Sequence, residues 1–508
     1  MSLPHGNAAS YFVDRHLAEG RGDKIAYIEG DRHLTYADLA TQSDRIGDML
    51  ARHGIRREDR VAMLVLDVIE FPVIFWGCLK AGIIPIPLNT LLTADQYAYI
   101  LADSGVRGLI ASAPLLETVA PVLPRLDAVF VVGGDPGPHL DFASELAASA
   151  PRPMIATSPD ETAFWLYSSG STGNPKGVRH VHASLRGTCE TYAAQVLGID
   201  EGDVVFSAAK LFFAYGLGNA MSFPLSVGAT TALLPTRPTP DAIAGVMQAV
   251  EPTIFYGVPT LFAAMLAHAG DGPIPGTGRL RISASAGEAL PEEIGRRWQS
   301  KTGIAILDGV GSTEMLHIFL SNRPSDVEYG TSGLAVPGYD LRLVDEAGAE
   351  VGPDQVGELL VAGETAADGY WNNRRKSRAT FEGIWTRTGD KYTRRADGRY
   401  VYCGRTDDMF KVGGIWLSPF EVEQALITHP AVLEAAVVPA LDENRLEKPK
   451  AFLVLKKPAV DPDALAEEIK AHVRARIGPQ KFPRWIEIAD SLPKTATGKI
   501  QRFKLRAP

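Results

Sequence analysis

Between Tyr167 and Gly177 the chain reads Tyr-Ser-Ser-Gly-Ser-Thr-Gly-Asn-Pro-Lys-Gly. The stretch gathers hydroxyls (Ser168, Ser169, Ser171, Thr172), glycines (Gly170, Gly173) and one cation, Lys176. Glycine lets backbone N–H groups turn toward an anion, hydroxyls add donors and the lysine adds charge, so the loop suits phosphate. Pro175 stands before Lys176 and Gly177 after it, so the Gly-Lys-Ser/Thr ending of a Walker A loop is missing. No Gly-x-Ser-x-Gly occurs here, which excludes a nucleophile elbow.

Four further residues have chemistry of their own. Glu314, after Ser312-Thr313, is a hard oxygen ligand suited to Mg²⁺ on nucleotide phosphates, or a helix cap. Asp390, after Thr388-Gly389, has two acceptor oxygens that match a ribose diol; a turn aspartate is the plainer reading. Arg405 is similarly a candidate nucleotide contact, with a salt-bridge partner beside a hinge as the plainer reading. Lys499 ends a Thr-Ala-Thr-Gly-Lys turn and by itself would be an ordinary surface lysine.

Together these segments resemble the adenylate-forming superfamily of acyl-CoA synthetases, adenylation domains and luciferases. Residues 167–177 are similar to its phosphate-binding motif and Gly309-Val310-Gly311-Ser312-Thr313-Glu314 to its core motif. Trp385 to Asp390 resembles its ribose motif, Gly404 to Lys411 its hinge motif, and Pro493 to Lys499 its C-terminal lysine motif. The resemblance implies that Ser168 to Gly173, Lys176, Ala286-Gly287-Glu288, Asp308 to Thr313, Asp390, Arg405 and Lys499 bind ATP and AMP. It implies catalytic roles for Lys499, Glu314 and Lys176, with Mg²⁺ on Glu314. The core motif departs from the family in one place, where Val310 stands for an aromatic residue that would stack on adenine. An aliphatic side chain packs on the ring without the π component.

The same resemblance points to an aryl acid. Phe213, Ala214, Tyr215, Gly216, Ala286, Gly287, Gly311 and His317 would line its pocket, which is aromatic and small and has no cation for a second carboxylate. The segments from Ser207 to Asn219 and from Ser312 to Asn322 are most similar to benzoate–CoA and 4-hydroxybenzoate–CoA ligases, with aminobenzoate activation or carrier loading as the alternatives. Coenzyme A would be the acceptor, its pantetheine arm passing Lys411, Gly413 and Gly414 after a hinge at Asp407. A nucleotide-binding regulator without catalysis is the rival from another class, and the presence of both Glu314 and Lys499 argues against it.

The elements that must carry these residues follow from pattern. Apolar runs such as Val61–Leu66, Gly108–Ala111, Ala163–Tyr167, Thr253–Tyr256, Arg281–Ser285 and Ile304–Leu307 alternate with helix-length segments. That pattern predicts an α/β fold with mostly parallel sheet flanked by helices. From about 330 to 406 glycine is frequent and strands alternate, as in Asp340–Val344, which predicts a β-rich subdomain. Residues 1–406 are expected to form a large N-terminal domain and 407–508 a small mobile α+β lid, whose helix carries Leu465, Ile469, Val473 and Ile477 at four-residue spacing.

Charge divides at the same place. The chain has 508 residues and a formal charge of −9, yet its last 39 carry ten basic and two acidic side chains. A cationic lid on an acidic body suits an anionic substrate, while the overall sign argues against nucleic acid. The composition, 45% apolar and 22% charged, is that of a globular protein. No apolar run reaches membrane length, no secretory signal is visible, and Cys78, Cys189 and Cys403 are too scattered for a disulfide framework. A cytoplasmic enzyme, monomer or homodimer, is the expectation.

Overall fold

The computed structural model describes residues 6–170, 173–406, 408–412, 415–443, 445–459, 461–478, 481–494 and 500–506. The chain separates into two compact units, one of Met1–Asp340 with Val361–Thr386 and the other of Leu341–Leu360 with Arg387–Pro508. The β-rich segments 341–360 and 387–406 thus group with the C-terminal residues.

The first unit holds two largely parallel sheets, as expected. In the larger, parallel strands Ile25–Glu29, Thr230–Ala232, Val204–Ser207, Ile254–Gly257, Ile282–Ser285 and Ile306–Gly311 lie side by side. Antiparallel strands Arg32–Thr35 and Ile318–Ser321 flank them. The smaller sheet is parallel throughout and includes Arg60–Leu64 and Gly108–Ser112. These strands are apolar along their length because helices cover both faces. Phe206, Phe255, Phe262, Trp298 and Ile306 form one such interface, fully buried.

Ala163–Tyr167 belongs to neither parallel sheet. It lies in strand Thr162–Gly170, which pairs antiparallel with Gly173–Val181, a correction to the expected parallel placement. The cause is local: too few residues separate the two strands for a crossover, so the chain doubles back.

In the second unit, helices Pro419–Ile427 and Pro462–Ile477 pack on strands Val432–Leu441 and Glu447–Leu455. Ile469 and Val473 are buried there and Leu465 and Ile477 half-buried, as their spacing predicts. Among the described residues no helix is long and apolar enough to cross a membrane.

Candidate active site

The hairpin formed by Thr162–Gly170 and Gly173–Val181 brings Ser168 opposite Lys176 and Gly170 opposite Gly173. Ser171 and Thr172 lie outside the described residues. Ser168 Oγ is buried and has no hydrogen-bond partner among the described residues, as expected of a donor kept for a ligand. The Lys176 ammonium lies 5.1 Å from the centroid of the Tyr370 ring. The Tyr370 hydroxyl donates to Glu314 Oε1 at 2.8 Å. One tyrosine therefore joins the two residues expected to serve phosphate and metal. Sequence reasoning missed Tyr370; its one signal was an aromatic pair after the Asp368-Gly369 turn.

The core motif runs out of strand Ile306–Gly311 into a tight turn before Ile318–Ser321. Backbone contacts hold that turn. Ala367 N–H donates to the Glu314 carbonyl at 2.8 Å, and the Thr365 hydroxyl to the Met315 carbonyl at 2.9 Å. His180 Nε2 lies 2.9 Å from the Thr313 carbonyl and must donate to it. Burial holds the His180 pKa down to about 4, so the ring stays neutral near pH 7.

Ser285 pairs with Asp308 across parallel strands, which places Ala286-Gly287-Glu288 beside Gly309-Val310. Gly287 has φ = 94° with open space where a Cβ would stand, so its backbone conformation is what calls for glycine. Val310 is half-buried. Asp308 is 5% exposed, and burial raises its carboxyl pKa to about 8. Leu290 N–H, 3.5 Å from Oδ2, is a weak partner, and Oδ1 has none among the described residues.

Of the residues expected to line the acid pocket, Ala214, Tyr215 and Gly216 lie on helix Ala214–Leu217, which continues through Gly218–Ser222 into Phe223–Val227. Gly216 lies so close to the Lys210 carbonyl that any Cβ would collide with it. Phe213, Ala214 and Tyr215 are half-buried, whereas His317 is only 3% exposed. Ring centroids of Tyr215 and Phe223 lie 5.6 and 4.4 Å from that of His317. Tyr192 approaches the same ring at 5.4 Å, and Tyr256 packs edge-on against Tyr215 at 6.1 Å. Neither Tyr192 nor Tyr256 was foreseen, since each is far in the chain from the ring of His317 or Tyr215 that it meets or adjoins. The Tyr256 hydroxyl is buried and without a partner among the described residues.

Asp390 and Arg405 belong to the second unit, where they pair across antiparallel strands Trp385–Arg394 and Tyr400–Arg405. Arg405 Nη1 donates to Asp390 Oδ1 at 3.0 Å and to the Thr388 carbonyl at 3.1 Å. Lys411 lies on strand Phe410–Val412. Asp407, Gly413, Gly414 and Lys499 fall outside the described residues. On either side of residues 495–499, Lys494 and Ile500 form an antiparallel bridge. Arg502, just beyond, donates to Glu423 at 2.9 and 2.7 Å and reaches Asp408 at 3.4 Å. This half-buried ion network, in which Glu423 is the buried member, was also missed by sequence reasoning.

No group of three or more His, Cys, Asp or Glu side chains among the described residues could cage a metal. Mg²⁺, the ion that the resemblance implies, takes one or two carboxylates plus substrate phosphates rather than an all-protein cage. Glu314 gives one oxygen to Tyr370, and a carboxylate offers about four lone-pair sites, so capacity for a cation remains.

Comparison with known proteins gives the family. The model of the AMP-binding enzyme family matches residues 14–371, and that of the AMP-binding enzyme C-terminal domain matches 421–499. The chain is 54% identical to a 4-hydroxybenzoate–CoA/benzoate–CoA ligase of Rhodopseudomonas palustris, over 100% of this chain and 95% of the relative. It is 55% identical to a benzoate–CoA ligase of Thauera aromatica, over 99% of this chain and 96% of the relative. A crystal structure of a benzoate CoA ligase from Burkholderia xenovorans superposes with a TM-score of 0.91 at 50% identity, covering 99% of this chain and 100% of that one. With one family model spanning most of its length and these relatives spanning all of it, the chain belongs to the AMP-binding enzyme family.

Proposed function

We propose that the protein is an aryl-CoA ligase. It converts benzoate or a hydroxybenzoate, with ATP and coenzyme A, to aroyl-CoA, AMP and pyrophosphate through an aroyl-adenylate. The observation that supports this reading is the cluster of aromatic rings formed by Tyr215, Tyr192 and His317, the last of which follows the core motif by three residues. The likeness to benzoate–CoA ligases along the whole chain supports it.

In the first half-reaction a carboxylate oxygen of the acid attacks the α-phosphorus of ATP and pyrophosphate leaves. Lys176 and the hydroxyls of residues 168–172 hold the phosphates, the Ala286–Glu288 backbone and Val310 pack on adenine, and Asp390 takes the ribose. Lys499 neutralises charge developing between carboxylate and α-phosphate, which is electrostatic stabilisation of the transition state. Mg²⁺ held by Glu314 would supply further positive charge to the phosphate oxygens. In the second half-reaction the thiol of coenzyme A attacks the acyl carbon and AMP leaves. Rotation of residues 407–508 at Asp407 would withdraw Lys499 and present Lys411, Gly413 and Gly414 to the pantetheine arm, a hinge motion of familiar type. Free cysteines at 78, 189 and 403 fit our placement of the enzyme in the cytoplasm.

The test is a product analysis. Purified enzyme with benzoate, ATP and coenzyme A should give benzoyl-CoA by mass spectrometry and release pyrophosphate with each turnover. Lys499→Ala should abolish pyrophosphate release yet still convert supplied aroyl-AMP to the thioester. A product that stops at the adenylate with coenzyme A present would instead favour a carrier-loading enzyme. Equal loss of both half-reactions in Lys499→Ala would refute the rotating lid.

A further inference from the structure

A cleft of about 230 Å³ lies within the first unit, between the hairpin 162–181 and the chain entering strand Ile84–Pro87 at the edge of the smaller sheet. None of the residues around it is among those expected to bind ATP, coenzyme A or the acid. Its apolar wall is Ile83, Ile84, Ala163 and two indoles, Trp165 and Trp371, whose ring centroids are 4.6 Å apart. Arg60 stands 6.0 and 5.7 Å from those rings. It donates to the carbonyls of Glu58, Ser104 and Gly105, so its charge stays while its N–H groups are engaged.

Donors gather around this cleft without acceptors. Trp165 and Arg179 are direct partners across the hairpin, so their side chains leave the same face. Trp165 Nε1, Arg179 Nε and the Thr157 hydroxyl are each buried without a hydrogen-bond partner among the described residues. Asp368 takes Arg179 Nη2 at 2.6 Å and leaves Nε unused. His182 Nδ1 accepts the Ala8 N–H at 3.2 Å, so the proton of the neutral ring is on Nε2, which also meets no acceptor among the described residues. Burial keeps that ring neutral, its pKa lowered to about 4. The neighbouring Glu161 carboxylate is already engaged, by the Ser158 N–H at 2.7 Å and by Arg57 at 2.5 Å. Roughly nine in ten buried polar groups are paired in folded proteins, so this grouping around an open cavity points to a ligand.

The chemistry of the ligand follows from what the cleft lacks. It must supply acceptors, because the unpaired nitrogens only donate. A carboxylate offers about four lone-pair sites and bonds most strongly to a charged donor such as Arg179. The ligand must also cover the apolar wall, which an inorganic anion does not. A cavity of about 150 Å³ holds benzene, so this one has room for a six-membered ring bearing a carboxylate. We infer that the cleft is a second binding site, separate from the acid pocket, for a small organic carboxylate with an apolar body.

Equilibrium dialysis of labelled benzoate against the full chain, without ATP, tests this. Besides any binding at the acid pocket, the parent should hold an equivalent in the cleft below ~1 mM. Benzyl alcohol has the ring without the anion and inorganic phosphate the anion without the ring, so neither should displace it. Arg179→Met should weaken this equivalent at least about 10-fold, and the same-shaped Thr157→Val about threefold. Pyrophosphate release with benzoate and ATP should stay within about twofold of the parent in both variants, because the two sites are independent. If no bound equivalent is weakened by either variant, the inference falls, as it does if either control compound displaces the benzoate. Loss of turnover in Thr157→Val that keeps its circular dichroism spectrum would place the cleft in the reaction itself and refute its separateness.

Discussion

Asp308→Asn tests whether the strand leading into the core motif holds a neutral acid. The carboxyl is 5% exposed, and burial lifts its pKa from an ordinary 3.8 to about 8. Between those values the unfolded chain has released the proton and the folded chain keeps it. Rising pH then destabilises the fold by up to ~1.4 kcal/mol per unit, a loss complete only above the folded pKa. From pH 6 to pH 8 this carboxyl should cost the folded state about 2 kcal/mol. Below pH 3.8 it should cost nothing. Asparagine has the same shape and cannot ionise, so the difference between variant and parent cancels every other titrating group. Urea unfolding followed by tryptophan fluorescence at pH 6, 7, 8 and 9 gives that difference directly. The advantage of Asp308→Asn should grow by about 2 kcal/mol between pH 6 and 8 and level off beyond. An offset that stays flat across the range would mean that the folded carboxyl is already ionised, and the argument from burial would fail.

Three further outcomes follow from the same contacts. Gly218→Ala sets a Cβ against the His317 ring, within 2.7 Å of Nε2, and overpacking of this kind costs ~1–3 kcal/mol; kcat/KM for ring acids should fall at least about 10-fold while the circular dichroism spectrum is kept. Arg502→Met removes the guanidinium from buried Glu423 and from Asp408, and stranding a buried charge costs ~3–5 kcal/mol. Limited proteolysis should then cut the second unit faster, and Glu423→Gln in the same chain should recover part of the loss. Asp407→Pro locks φ near −65°; stopped assays should show pyrophosphate release continuing while thioester formation falls, and thioester made at the parental rate would move the hinge elsewhere.

Much of the family resemblance was legible because motif chemistry is local. A run of glycines and hydroxyls around Lys176 states what the backbone there can bind, and Glu314 after Ser312-Thr313 reads as a hard oxygen ligand, although the turn that carries it read equally as a helix cap. The four-residue spacing of Leu465, Ile469, Val473 and Ile477 marks a helix face wherever that helix packs. Period and turn chemistry depend on neighbours in the chain, so they survive in the sequence. Tyr370 is different. Its hydroxyl meets Glu314 across 56 residues of chain, and nothing in either segment shows the meeting. Tyr192 and Tyr256 lie far in sequence from His317, and only packing brings the ring of Tyr192 to His317 and that of Tyr256 to Tyr215. The antiparallel return of Ala163–Tyr167 likewise depends on which strand lies beside it. Sequence alone determined which groups are present and how the chain turns around them. Tertiary structure decided which of those groups are buried, which are left unpaired, and hence what polarity the pocket offers, because desolvation and pairing are properties of neighbours in space.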